Sequence, residues 1–311
     1  MNLRIGSRGS QLALWQAHHI AGLLRDAGHT VAIEIIKTTG DRLQEVTFAQ
    51  VGSKGMFTKE IEEALADGKV DLAVHSLKDL PTELPAGFAL AATPRRVDPR
   101  DVFVSEKYAN LAALPAGAKV GTSSQRRRAQ LKALRPDIEA VEFRGNVDTR
   151  LRKLGEGQVD AILLAAAGLD RLEKAEWIRQ RLDPKDFCPA AGQGSLGIET
   201  REGDAATKTA LAFLDDAPTR YAVTAERAAL AALGGGCQVP IGVHCRTVLA
   251  DPHQAEIFGV VAAPDTGRTI RIHHRAAHRS TPPEALGILV AQLLLDEGAA
   301  ELLASAGEAA Q

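Results

Sequence analysis

Three cysteines in 311 residues are too few, and odd in number, for a disulfide framework. Cys188, Cys237 and Cys245 also lack the paired Cys-x-x-Cys spacing of a zinc ribbon. His18 and His19 share a helical pattern without the glutamate and spacing of a metalloprotease, so no metal site is expected. No stretch approaches the ~18 consecutive apolar residues of a membrane span. The first ten residues run into a strand pattern without the apolar segment of a signal peptide. Excess basic charge is missing too: 37 Lys+Arg stand against 39 Asp+Glu, a formal net charge of -2, which excludes the whole-molecule field that drives non-specific nucleic-acid binding. Fixed-period repeats and low-complexity tracts are also lacking. The expectation is a cytoplasmic globular chain in a reducing compartment. With 45% apolar and 24% charged residues it can bury a sizeable core. At ~150 residues per domain it is long enough for two domains, or three if one is small.

Short apolar runs alternate with longer helical patterns, the signature of βα units around a largely parallel sheet. Residues 3–5 and 31–36 read as strands around a helix over 10–27 that stops at Gly28. The polar stretch 38–55 is long for a connection and reads as a mobile functional loop ahead of a helix over 58–68. Residues 72–74 form a third strand. His75-Ser76-Leu77-Lys78-Asp79 follows its carboxyl end, where open α/β sheets place their ligands. The stretch 93–101, with two prolines and five charges, reads as a linker. A second α/β unit follows, with strands at 102–104, 119–120, 138–143 and 161–164 and helices at 125–134 and 147–154. Further boundaries fall near 189–197 and 215–218. The final third reads as a small α+β domain: a helix over 218–233, then a hairpin of 255–263 and 268–276 around Pro264-Asp265-Thr266-Gly267. Thr281-Pro282-Pro283-Glu284 has the form of a capping box opening a helix with Leu286, Leu289, Val290 and Leu293 on one face.

Charge is concentrated locally. Between Thr122 and Lys153 there are nine Lys/Arg against four acids, although the chain as a whole is slightly acidic. The arginines begin just after Gly121-Thr122-Ser123-Ser124, where a strand turns into a helix whose free N–H groups favour an anion. Arg144-Gly145-Asn146 and Arg150 repeat that strand-end placement, which suits a ligand with several carboxylate or phosphate groups. Arg126, Arg127 and Arg128 are consecutive on a helix, so not all can face one ligand; a basic solvated helix face is the alternative reading. Asp79, beside Lys78 and Ser76, reads either as a carboxylate that stabilises a developing cation or as a turn residue. Cys237 follows Gly234-Gly235-Gly236, a context that leaves a thiol approachable; a small residue packed in a helix-terminating loop is the alternative. Cys188 and Cys245 sit in less distinctive contexts and read as inert. Lys54, in Gly52-Ser53-Lys54-Gly55, lacks the Walker spacing, which excludes nucleotide hydrolysis.

Several long segments, in order, resemble the porphobilinogen deaminase (hydroxymethylbilane synthase) family over nearly the whole chain. They are Arg8-Gly9-Ser10-Gln11-Leu12-Ala13-Leu14-Trp15-Gln16-Ala17, Val74-His75-Ser76-Leu77-Lys78-Asp79-Leu80-Pro81, Val120-Gly121-Thr122-Ser123-Ser124-Gln125-Arg126-Arg127, Arg144-Gly145-Asn146-Val147, Pro189-Ala190-Ala191-Gly192-Gln193-Gly194 and Gly235-Gly236-Cys237-Gln238-Val239-Pro240-Ile241-Gly242. The resemblance implies two periplasmic-binding-protein-like α/β domains, residues 1–94 with 195–213 and residues 100–188, plus a small cofactor-bearing α+β domain over 218–311. The return of the chain to the first domain comes from the resemblance, not from periodicity.

The implied activity is a transferase that joins four porphobilinogen molecules head to tail, losing ammonia, to give hydroxymethylbilane. The implied cofactor is dipyrromethane, attached to Cys237 by a thioether. Asp79 and Lys78 would be catalytic. Ser76, Thr122, Ser123, Ser124, Arg126, Arg127, Arg144 and Gly145, with Lys78 and Asp79, would hold the cofactor. Arg8, Ser10, Arg144, Arg150, Gln193, Lys54 and Phe57 would hold the substrate. A monomer with no nucleic-acid or membrane partner is expected. Ser53 stands where the family often has glycine. The residues alone also allow a non-catalytic solute-binding or sensor module for small polyanions, since two α/β lobes with an anion site serve that purpose too. The glycine-rich Cys237 loop and the lack of a secretion signal weigh against it.

Overall fold

The computed structural model describes residues 1–39, 58–235 and 239–308. The chain forms two compact units, Met1–Val97 with Gly194–Arg220, and Asp98–Gln193 with Tyr221–Gln311.

The first unit opens with β1 (Asn2–Ser7), whose Leu3 and Ile5 point into the core. Ser10 then caps α1 (Gln11–Asp26), its Oγ accepting from the Ala13 N–H at 3.4 Å. The helix buries Ala17, Ile20, Ala21 and Leu24, one stripe at helical spacing, and β2 (Thr30–Ile35) follows. Next come α2 (Lys59–Ala66), β3 (Leu72–Ser76) and β4 (Phe88–Ala92).

The second unit begins with β5 (Asp101–Val104), β6 (Lys119–Gly121), α3 (Gln125–Leu134), β7 (Glu139–Val141), α4 (Val147–Gly155), β8 (Ala161–Ala165), α5 (Ala166–Arg171) and β9 (Ile178–Arg181). Their sheet order is β7-β6-β8-β5-β9. The chain then re-enters the first unit as β10 (Leu196–Arg201), which sits between β3 and β4 in the order β2-β1-β3-β10-β4, and continues into α6 (Ala205–Leu211).

The expectation of largely parallel sheets is corrected. β10 runs antiparallel to both β3 and β4, and β5 antiparallel to both β8 and β9. Parallel neighbours require a crossover helix between them, and a strand that enters from the other unit has none to align it. Strands β4, β9 and β10, and the strand Ile241–Val248, also lay outside the sequence expectation.

After α7 (Ala217–Ala232), the strands β11 (Ile241–Val248), β12 (Asp251–Ala262) and β13 (Thr269–Ala277) make an antiparallel three-stranded sheet. It is covered by α8 (Pro283–Asp296) and α9 (Ala299–Glu308), with Val243, Ile257, Val261, Leu286, Val290 and Leu294 sharing one core. The architecture is therefore two mixed α/β sheets plus a small α+β part.

The capping box expected at Thr281-Pro282-Pro283-Glu284 does not form. Pro282 is the N-cap residue, no side chain caps the helix, and the Thr281 carbonyl accepts instead from the Tyr221 hydroxyl at 2.9 Å. As the N-cap residue, Pro282 has neither a side-chain acceptor nor an N–H, so neither half of a box can form.

Candidate functional site

In the first unit, β1 and β3 are parallel neighbours, so Arg8 and the His75-to-Asp79 segment leave the sheet at the same carboxyl edge. Past Ser76 the chain makes a single tight turn, Leu77–Asp79. Leu77 pins it: its side chain is buried and its N–H donates to Ser195 O at 3.0 Å. Ser76 Oγ accepts from Gln16 Nε2 at 2.7 Å, which braces the turn against α1. The result is an exposed Asp79 on a fixed base, with no hydrogen bond or ion pair to its carboxylate among the described residues. Lys78 beside it and Arg8 are half-buried, and Ser10 Oγ serves as the α1 cap.

In the second unit the hydroxyls after β6 are engaged in local structure. Ser123 Oγ donates to Phe143 O at 2.8 Å, Thr122 Oγ1 accepts from the Ser124 N–H at 3.3 Å, and Ser124 Oγ caps α3 by accepting from the Arg127 N–H at 3.4 Å. The first two arginines of α3 are also fixed internally. Arg126 Nη1 donates to Asp101 Oδ2 at 2.7 Å and to Cys188 O at 2.6 Å. Arg127 Nε donates to Asp101 Oδ1 at 2.8 Å, and its Nη1 to Leu163 O at 3.0 Å. Gln193 Nε2 donates to the same carboxylate at 3.1 Å and to Pro99 O at 2.7 Å.

Asp101 is wholly buried. Burial alone would push its carboxyl up, but Arg126 and Arg127 outweigh that and hold it at about 2. Two cations against one anion leave this cluster with one net positive charge.

Beyond β7, Arg144 Nε donates to Glu142 Oε1 at 2.6 Å. Gly145 turns the chain at φ 124°, where a Cβ would lie 2.7 Å from Thr149 Cγ2, so glycine is required on both counts. Asn146 then caps α4, Oδ1 accepting from the Thr149 N–H at 2.9 Å. Arg150, one turn into α4, differs from its neighbours. Its guanidinium has no ion pair or hydrogen bond among the described residues, and its Nε is sealed from solvent without a partner. Burial first, then Arg127, lower its pKa to about 10, with Glu142 opposing and Arg144 adding to the depression. An unmatched cation so placed favours an external anion.

Two residues escaped the sequence reading. Asp101 stood at the end of an expected linker, and nothing local marked it as the centre of an arginine cluster. Arg171 ends α5 and is buried, its pKa lowered to about 10 by burial. Its signal was a further arginine shortly after a strand end, as at Arg126 and Arg144.

Cys237, Lys54 and Phe57 lie outside the described residues. The helix leading toward Cys237, α7, stops at Ala232, with Gly234 in the left-handed region at φ 66°. Cys188 and Cys245 are buried, and burial pushes the Cys188 thiol up to about 12, out of the reactive range. Among the described residues no cluster of His, Cys, Asp and Glu could hold a metal ion, and no helix is long and apolar enough to cross a membrane.

Residues 3–209 match the family model "Porphobilinogen deaminase, dipyromethane cofactor binding domain", and residues 220–296 match "Porphobilinogen deaminase, C-terminal domain". The chain is 51% identical over 305 residues to porphobilinogen deaminase of Nitratidesulfovibrio vulgaris strain Hildenborough, covering 97% of this chain and 96% of that one. It is 50% identical to the Roseiflexus castenholzii enzyme of that name (97% and 99% covered) and 49% identical to that of Thiobacillus denitrificans (97% and 97%). Among solved structures, the methionine-binding protein MetQ is similar at 13% identity and a TM-score of 0.44, over 69% of this chain and 91% of that one, a likeness too loose to bear on function.

Proposed function

Because the chain belongs to the porphobilinogen deaminase family, which forms hydroxymethylbilane from porphobilinogen with a dipyrromethane cofactor, we propose how its own residues divide that work. Cys237 carries the cofactor through a thioether. When bound, dipyrromethane supplies the free pyrrole carbon to which the first substrate unit is joined. Asp79 accepts hydrogen bonds from pyrrole N–H groups and stabilises the positive charge left on the substrate as ammonia departs. The observation that carries this role is an exposed carboxylate without a partner among the described residues, on a turn pinned by Leu77 and Ser76. Lys78 works beside it.

The donor set fits a ligand rich in acetate and propionate groups, as the Nε of Arg150, without a partner among the described residues, indicates. Arg144, Arg150, Arg8, Ser10, Gln193, Lys54 and Phe57 hold the substrate. Ser76, Thr122, Ser123, Ser124, Arg126, Arg127, Arg144 and Gly145 hold the cofactor, the α3 pair through the net charge of its buried cluster rather than through free forks. We place the working domains at 1–94 with 195–213, 100–188 and 218–311. The enzyme acts as a cytoplasmic monomer with porphobilinogen as its small-molecule partner.

Intact mass under denaturing conditions, followed by peptide mapping, tests the anchor. The expected result is an excess of two linked pyrrole units on the peptide containing Cys237. A chain that stays unmodified after incubation with porphobilinogen, or an adduct on another residue, removes Cys237 from this role. Arg150→Met is expected to raise KM for porphobilinogen about tenfold, the loss of one charge-assisted contact, without lowering the melting temperature, because it removes a half-buried charge that has no ion pair among the described residues. Steady-state kinetics beside a thermal melt checks both halves.

A further inference from the structure

The strand pair that seats the Asp79 turn contains a buried acid–base pair with no task in the chemistry above. His75 lies opposite Gly197 across β3 and β10. Gly197 has no room for a side chain, since a Cβ would lie 2.9 Å from Leu77 Cδ1. The His75 ring reaches past it to Glu199, two residues along the same face of β10, with Nε2 and Oε2 2.9 Å apart. His75 is 8% exposed and Glu199 is 0% exposed. The second oxygen of Glu199, Oε1, is buried without a hydrogen-bond partner among the described residues, and so is Oε1 of Glu62 on α2. A buried carboxylate with a single hydrogen bond is costly unless a proton or a cation compensates it.

We propose that His75 and Glu199 are positioning residues for Asp79: the buried hydrogen bond between them ties β10 to β3 beneath the turn. This rests on the role assigned to Asp79. Loss of the bond loosens the two strands beside the Leu77 N–H to Ser195 O bond that seats the turn. Turnover then falls, whereas substrate affinity, set elsewhere, does not.

Cofactor-loaded His75→Leu and Glu199→Gln are compared with the parent by kcat, KM and hydrogen exchange over residues 76–80. His75→Leu, which removes the side-chain tie, is expected to lower kcat about tenfold through misplacement of Asp79 and to speed exchange of the 76–80 segment. KM should stay within about twofold, because the binding groups are untouched. Glu199→Gln, whose amide oxygen can still accept from the His75 ring, is expected to keep kcat within about threefold of the parent. Unchanged kcat or unchanged exchange in a folded His75→Leu overturns the proposal. If His75→Leu does not fold, Glu199→Leu, which removes the same bond together with the buried charge, is read in its place. Asp79→Ala in the same assay separates the two ideas: full turnover there removes the role of Asp79, whereas its loss alongside parental turnover in His75→Leu removes only the positioning pair.

Discussion

Replacing Asp79 with alanine is expected to lower kcat for porphobilinogen by about 10²- to 10³-fold, the usual loss when a preorganised group facing developing charge is removed. Stability should stay within about 0.5 kcal/mol of the parent, because the side chain is exposed and has no partner among the described residues. The turn does not depend on this carboxylate: Leu77 fills a buried site and bonds to Ser195, and Ser76 bonds to Gln16. Asp79→Asn should lose most of the same activity, since an amide can accept a hydrogen bond from a pyrrole N–H but carries no charge against the cation. Single-turnover kinetics on cofactor-loaded protein, with a urea titration of each variant, gives both numbers. An alanine variant with parental turnover would return Asp79 to the rank of a turn residue.

The largest structural effect is expected at Asp101. Asp101→Ala leaves the Arg126 and Arg127 guanidiniums, both nearly inaccessible, without their shared anion, and breaking such a buried group costs about 3–5 kcal/mol. That is a large fraction of the ~5–15 kcal/mol by which a native domain is stable. Urea unfolding should show the loss, and an unchanged midpoint would mean that the arginines find other partners. The pH dependence has a definite sign. The carboxyl sits at about 2 when folded against an ordinary 3.8, so its contribution is complete above pH ~4 and is lost as pH falls from there toward ~2. The shift corresponds to about 2 kcal/mol. Truncation costs more than protonation because it also removes the oxygens that accept from Arg126, Arg127 and Gln193.

Much of the site was legible because its residues lie just past strand ends, where helical and strand periodicities change. Asp79 after β3, Arg126 after β6 and Arg144 after β7 could be found that way. What those side chains touch could not. The count of nine basic residues between Thr122 and Lys153 suggested a row of open anion clamps, yet two of them close on Asp101, twenty-five residues upstream in a stretch that reads as a linker. Pairing of that kind leaves no period in a sequence. The His75–Glu199 contact spans 124 residues and is hidden for the same reason. The mixed sheets were missed because alternation marks a strand without giving its direction. The solute-binding alternative, open on residues alone, is closed by relatives about half identical over 97% of the chain.

The place of β10 between β3 and β4 also orders events on the ribosome. The first unit lacks an interior strand until Leu196–Arg201 has been made, whereas every strand of the β7-β6-β8-β5-β9 sheet is present by Arg181. At ~5–20 residues per second, the roughly one hundred residues between β4 and β10 take about 5–20 s to synthesise. For that interval the facing edges of β3 and β4 have no partner, and open strand edges are where a nascent chain pairs wrongly. The half of the protein that emerges first is thus the later of the two to close its sheet. A holdase, or a pause in translation before Leu196, would act on the β3 and β4 edges rather than on the finished enzyme.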